Sequence, residues 1–282
     1  MQNAHAGARP TPHAQPLRQV ALEEHGYLPG LAADDGLIYY VHHRACCTRL
    51  RGPGAVLLVG AMGLERAHSH LVWVRWARHL ARRGLDVLRF DYRGLGESTG
   101  EHAELTLDSC VEDVTRAVGL LRALHPSSPI ALHGLRGGAL CAARVFAAQS
   151  GQSLLLWEPP PSARAMLLEK LRHKLAADFG QGTREARRTR QDYIADLEAG
   201  ERVDVEGYPW SRGLWLSTAD SPLVLPGADE PRRSLVVHLD GRSREGRASV
   251  DVPRPPFWGE SRWLHPELSA LFDVSCRFLE SA

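Results

Sequence analysis

Ile130-Ala131-Leu132-His133-Gly134-Leu135-Arg136-Gly137-Gly138-Ala139-Leu140 joins an apolar strand to a helix through a tight, glycine-rich turn. Gly134, Gly137 and Gly138 lack the Cβ that would hold strand and helix apart, so the turn is built for close backbone approach. The strand reading covers Pro129 to His133. The helix reading covers Gly138 to Ala148, nearly all apolar and therefore expected to be buried on every side. Upstream, Ala55 to Val59 reads as a fully buried strand ending at Gly60. Leu71, Val74, Ala77, Leu80 and Ala81 then recur at helical spacing until Gly84 stops the helix. Leu85 to Phe90 is the next strand. A helix beginning near Thr106 carries one apolar stripe through Cys110, Val114, Val118 and Leu121. Ser153 to Trp157 is a further strand. Strands alternating with helices at this spacing predict a mostly parallel central sheet covered on both faces.

The turn Asp91-Tyr92-Arg93-Gly94-Leu95-Gly96-Glu97-Ser98, directly after a strand, resembles the D-x-R-G-x-G-x-S turn that follows the fourth strand in the α/β-hydrolase superfamily. Gly94 and Gly96 permit positive φ, and Asp91 and Arg93 can tie the loop with side-chain hydrogen bonds. The resemblance implies an α/β-hydrolase fold, with a helical lid inserted between late strands over their carboxyl ends. On that reading residues 1–16 are a flexible leader and 17–161 the first part of the core. Residues 162–232 are the lid, and 233–282 the last strands and terminal helix. Within the lid, two charged helices are expected to about residue 200, joined near Gly180-Gln181-Gly182, and irregular chain is expected over 201–231. Later strands are expected at Ser234 to Leu239 and Ala248 to Val252, and a helix from about Pro266 to Glu280.

In such a fold the turn after the Ile130 strand is the nucleophile elbow, and Arg136 occupies the nucleophile's position. A guanidinium stays protonated and has no lone pair with which to attack a carbonyl. Gly96-Glu97-Ser98-Thr99-Gly100 spells the G-x-S-x-G pattern, making Ser98 a second candidate nucleophile. That motif works only as a sharp strand-to-helix turn, and here the next helix starts well after Gly100, so Ser98 reads better as a loop-stabilising hydroxyl. Oxyanion donors would be the amide of Gly137 and that of Ala61 or Met62. Asp240 is the candidate acid, with Glu245 the alternative. Pro253 to Gly259, after the last strand, contains no histidine. His265, His68, His70 and His133 are each expected to be structural or solvent-facing. Nucleophile and base are thus both missing from ordinary serine-hydrolase chemistry.

Two roles stand open for Arg136. At a helix N-terminus it can make a bidentate site for a carboxylate, sulfate or phosphate ligand. Equally, it can neutralise a nearby carboxylate such as Glu65, Glu97 or Glu158 and plug the old site. Basic residues of the lid, among them Arg164, Lys170, Arg172, Lys174, Arg184 and Arg187, suggest a basic rim or simply a solvated helix face.

Composition narrows the function classes. With 34 basic and 33 acidic residues the net charge is +1, which gives no reason to expect a nucleic-acid partner. No apolar run is long enough for a membrane span, and the leader lacks an apolar core, so a cytoplasmic location is expected. Cys46, Cys47, Cys110, Cys141 and Cys276 show no C-x-x-C spacing, so neither a disulfide framework nor a metal is expected, nor any cofactor. Cys46 and Cys47 would face opposite ways on a strand.

Gly134-Leu135-Arg136-Gly137-Gly138-Ala139-Leu140, Leu154-Leu155-Leu156-Trp157-Glu158-Pro159, Val205-Glu206-Gly207-Tyr208 and Pro255-Pro256-Phe257-Trp258 are similar to one family in particular, the exosortase A system-associated hydrolases of the second type. That family is found with extracellular-polysaccharide gene clusters, and its elbow likewise reads G-L-R. The resemblance runs from about residue 22 to 280. Arg254 departs from the glycine expected there, and Asp91-Tyr92-Arg93 is closer to ordinary hydrolases. Three functional readings follow. One is a degenerate hydrolase that binds an anionic or acyl ligand or a protein partner. Another is an ester or acyl hydrolase using Ser98, Cys141 or a water held by His68 or His70. The last is a scaffold that contacts a partner through its lid, which exposed Trp210 or Trp215 would support.

Overall fold

The computed structural model describes residues 22–28, 36–47, 53–149, 153–181, 188–227, 234–239, 241, 249–253, 256–259 and 267–281. The expected leader, residues 1–16, lies outside them. Ten strands and seven α-helices, with one short 3-10 helix at His102–Glu104, are defined among the described residues. In chain order they are β1 (Glu23–Leu28), β2 (Ile38–His43), β3 (Ala55–Val59), α1 (Gly63–Arg82), β4 (Asp86–Phe90), α2 (Leu107–Leu124), β5 (Ile130–Leu135), α3 (Gly137–Gln149), β6 (Ser153–Trp157), α4 (Ala163–Gln181), α5 (Arg190–Ala199), β7 (Val203–Val205), β8 (Tyr208–Trp210), α6 (Arg212–Ser217), β9 (Ser234–His238), β10 (Ser249–Asp251) and α7 (Ser269–Ser281).

Eight strands form one sheet in the order β1-β2-β4-β3-β5-β6-β9-β10. Every pairing from β4 to β10 is parallel, while β1 and β2 enter antiparallel at one edge. The period-two geometry of β3 shows why both faces are covered. Ala55, Leu57 and Val59 pack with apolar residues of α2 and α3, whereas Val56 and Leu58 pack with those of α1 and α7. The mostly parallel, doubly covered sheet read from the sequence is the one observed. Thr106 caps α2 in a reciprocal capping box with Ser109, which explains why the helix begins there.

Three local expectations need correction. The edge strands β1 and β2 were not foreseen. Residues 201–231, expected to be irregular, contain the hairpin β7–β8 and helix α6. The hairpin closes through Glu206 and Gly207, whose φ values of 59° and 85° match a two-residue turn that follows strand twist. Cys46 and Cys47 lie in a bend after β2, not on a strand, and Cys47 is exposed. All five cysteines are free. No helix among the described residues is long and apolar enough to cross a membrane.

The elements between β6 and β9 have a small core of their own, made by Met166, Leu171, Tyr193, Leu197, Val205 and Trp215 with their neighbours. Trp210 and Trp215 belong to it, at 7 % and 3 % exposure. The exposure of Trp210 or Trp215 that would have supported a contact surface on the lid is therefore not found, since both rings are buried in the lid's own core.

Candidate functional site

The turn between β5 and α3 has the geometry of an elbow. Arg136 adopts φ 51°, a left-handed conformation that is uncommon outside glycine and asparagine. A Cβ on Gly138 would stand 2.2 Å from the carbonyl oxygen of Gly60 and 2.4 Å from that of Val59. A Cβ on Gly134 would stand 2.4 Å from the Cα of Ala139. The glycines therefore let β3, β5 and α3 approach closely, as the sequence indicated.

Arg136 is 6 % exposed, and its guanidinium is bound from two sides. Its Nε donates to Glu65 Oε1 and Oε2 at 3.2 and 3.3 Å, and its Nη2 donates to Glu65 Oε1 at 3.1 Å and to Glu169 Oε2 at 3.0 Å. The indole of Trp258 lies 5.5 Å from the guanidinium carbon. Burial works against this charge, but the two carboxylates outweigh it and push the arginine above its ordinary value, so it is permanently cationic. Glu65, itself 3 % exposed, is the carboxylate that Arg136 neutralises, in the first turn of α1. Glu97 is exposed. Glu158 is buried but accepts from the backbone amide of Leu239 at 2.6 Å.

The network continues into the lid. Lys170 Nζ lies 3.2 Å from Glu65 Oε1 and donates to Glu206 Oε2 at 3.1 Å. Two cations are thus set against three carboxylates. Other basic residues of α4 are also engaged internally: Arg164 covers the ring of Trp215 at 3.5 Å and Lys174 pairs with Asp178 at 3.3 Å. Arg188 pairs with Asp196. Arg184 and Arg187 lie outside the described residues.

A small cleft of about 50 Å³, open to solvent, lies between the loop after β3 and the lid. Its wall is mainly apolar, with Met62, Leu64, Leu105, Met166, Leu167 and Tyr208, and Lys170, Glu65 and Glu206 at its charged end. Met62 precedes α1, and Ala61 is buried. The face of Gly137 that a side chain would occupy is taken by thioethers, with Met166 Sδ at 2.7 Å and Met62 Sδ at 3.5 Å from an ideal Cβ.

The remaining sequence candidates separate clearly. Ser98 Oγ donates to the carbonyl of Asp91 at 2.6 Å and accepts from the amide of Tyr39 at 2.8 Å, which makes it a clasp of the Asp91 loop. Asp91 also accepts from the amide of Glu97 at 3.0 Å and from Arg66 Nε at 3.0 Å, and Arg93 Nε donates to Asp113 at 2.8 Å. His133 is enclosed by Trp73, Trp76 and Trp157, and its Nδ1 accepts from Trp76 Nε1 at 2.8 Å. Burial pushes it well below its ordinary value, so it is neutral. His68 Nδ1 is 3.3 Å from the carbonyl of Trp258, while His70 is exposed on α1. Cys141 is fully buried in the core of α2 and α3, which removes it as a nucleophile for the cleft. Asp240, Glu245, Arg254 and His265 lie outside the described residues. Sequence reasoning missed Glu169 as a direct partner of Arg136, and Lys170 and Glu206 as the next links of the network. The only cue was Glu206-Gly207, a hairpin turn that aims a carboxylate at the lid helix.

This sheet order, with an elbow between β5 and α3 and a lid between β6 and β9, is the α/β-hydrolase fold. Residues 63–196, which include the elbow, match the family model described as serine aminopeptidase, S33. The chain therefore has the α/β-hydrolase fold, and its matched stretch is similar to that family. No curated protein shows a significant sequence match. Among solved structures, a hypothetical protein from Pseudomonas aeruginosa is 17 % identical with a TM-score of 0.59, covering 95 % of this chain and 96 % of that one. Est1E from Butyrivibrio proteoclasticus, solved with ferulic acid bound, is 17 % identical with a TM-score of 0.60, covering 90 % and 97 %. An α-β serine hydrolase homologue from Coxiella burnetii is 16 % identical with a TM-score of 0.52, covering 90 % and 96 %.

Proposed function

We propose that this protein is a non-catalytic α/β-hydrolase that holds a small acyl-type ligand in the cleft between the β3–α1 loop and the lid. One observation carries the reading: the elbow residue is an arginine whose guanidinium is already committed to Glu65 and Glu169. It has no electron pair for acyl transfer, and Ser98 spends its hydroxyl on the loop backbone. Of the two ligand classes expected from sequence, the acyl one fits better. An anion would have to displace a carboxylate from Arg136 and would meet an excess of negative charge, whereas the apolar wall offers burial to a chain or ring. The resemblance to exosortase A system-associated hydrolases adds a polysaccharide-linked setting to this proposal.

The test is hydrolysis of short- and medium-chain aryl esters and thioesters by the full chain, beside Ser98→Ala and Arg136→Ala. Titration with decanoyl amide, decanoate and sulfate, followed by tryptophan fluorescence, accompanies it. No turnover above an unrelated protein from the same preparation is expected, with decanoyl amide binding and sulfate not. Turnover that vanishes in Ser98→Ala would return the protein to the active hydrolases through an unorthodox nucleophile. Binding of sulfate that is lost in Arg136→Ala would restore the anion site.

A further inference from the structure

Three side chains from separate elements meet at the other end of the sheet from the cleft. His42 lies on β2, Asp86 opens β4, and His125 caps the end of α2 before the turn into β5. His42 Nε2 is 3.1 Å from Asp86 Oδ1, and His125 Nε2 is 3.4 Å from Asp86 Oδ2. All three donor atoms fall within 4.8 Å of one another. Donor atoms around a tetrahedral ion with bonds of about 2.0–2.1 Å stand roughly 3.3 Å apart. The two histidine–carboxylate separations, each to a different oxygen of Asp86, are near that spacing, and a small contraction of the set would close the shell.

Two details separate this cluster from an ordinary histidine–carboxylate contact. The Nε2 of His125 is buried and makes no hydrogen bond, a costly state for an imidazole nitrogen. The carboxylate is also fixed from outside the cluster, because the amide of Ala45 donates to Asp86 Oδ1 at 3.1 Å. Outer contacts of that kind orient ligands in metal sites. Side-chain exposure of 9 % at His42 and 19 % at both Asp86 and His125 leaves the cluster sheltered but reachable.

We propose that His42, Asp86 and His125 bind a divalent transition-metal ion of the zinc class, with water in the fourth position. Two imidazoles and one carboxylate suit zinc, cobalt, nickel or copper and do not suit the all-oxygen shells of calcium or magnesium. The ion would tie the antiparallel edge (β2) to the parallel body (β4) and to the α2–β5 turn. It lies far from the elbow, so its effect would be on stability and edge geometry.

The test uses the full chain, stripped with a chelator and then titrated with cobalt(II), read by its visible d–d absorption. Zinc is titrated in competition with a chromophoric chelator. The same titrations are run on His125→Ala and His125→Gln, whose side chain is half-buried at a helix end, so that the fold survives truncation; circular dichroism checks this. The expected result is a stoichiometric tetrahedral cobalt band, zinc-dependent protection against thermal unfolding, and zinc affinity at least about tenfold weaker in both variants. Absence of binding overturns the site. So does binding of equal strength in wild type and both variants, which would assign the metal to other histidines such as His5 and His13.

Discussion

Replacing Glu65 by leucine tests whether the elbow arginine depends on its buried partner. The change leaves the Arg136 guanidinium, 6 % exposed, with Glu169 alone, whose side chain is 37 % exposed. Breaking a fully buried pair from one side costs about 3–5 kcal/mol because a charge is left uncompensated, and retention of Glu169 sets the expectation near the low end, about 3 kcal/mol. Arg136→Leu is milder, about 2 kcal/mol, because Glu65 keeps Lys170 at 3.2 Å. The double variant removes both charges at once and should lose no more than about 2 kcal/mol, a coupling of about 3 kcal/mol between the sites. Urea unfolding followed by tryptophan fluorescence, with linear extrapolation, measures all three variants against wild type. If the double variant loses the full sum of the singles, Glu65 and Arg136 act independently and the plug argument fails.

Three other substitutions address the frame of the sheet and its helices. Gly138→Ala places a methyl within 2.4 Å of two backbone carbonyl oxygens, which cannot yield like side chains; a loss of about 3 kcal/mol or more in thermal or urea unfolding is expected. Gly119→Ala in α2, with nothing within 4 Å, is the control and should be neutral or stabilising by about 0.5–1 kcal/mol. His43 supplies a pH dependence: burial and the neighbouring Arg89, which donates to its Nε2 at 3.1 Å, lower it from 6.5 to about 4. Between those values the unfolded chain binds the proton and the fold does not, so stability present above pH 6.5 falls as pH drops toward 4, by roughly 3 kcal/mol from this group. In His43→Gln the difference in unfolding free energy between pH 7 and pH 4.5 should shrink, and an unchanged difference would refute the assignment.

The sheet was legible because Ala55–Val59, Ile130–Leu135 and Ser153–Trp157 are short apolar runs with helices between them, and burial on both faces demands that pattern. Ser98 was legible as a clasp because the distance from strand to helix was wrong for an elbow. The edge strands were not: Glu23–Leu28 is half exposed and polar, so neither face carries a strong alternation. The β7–β8 hairpin escaped for a different reason, since two three-residue strands give no measurable period. Arg136's partner was narrowed to three carboxylates, of which Glu65, 71 residues away, is the one it grips, while Glu169, 33 residues away in the lid, was not among them. Spacing rules act within one element; the Lys170–Glu206 contact joins a lid helix to a hairpin and leaves no periodic trace.

Glu169 and Lys170 are consecutive on α4, yet one grips Arg136 and the other grips Glu65. A single turn of the lid helix therefore acts as a double latch on the floor of the cleft. Displacing α4 strips a carboxylate from the arginine and a cation from Glu65 in the same stroke, so access to the cleft and the charge balance at the elbow become one mechanical variable rather than two.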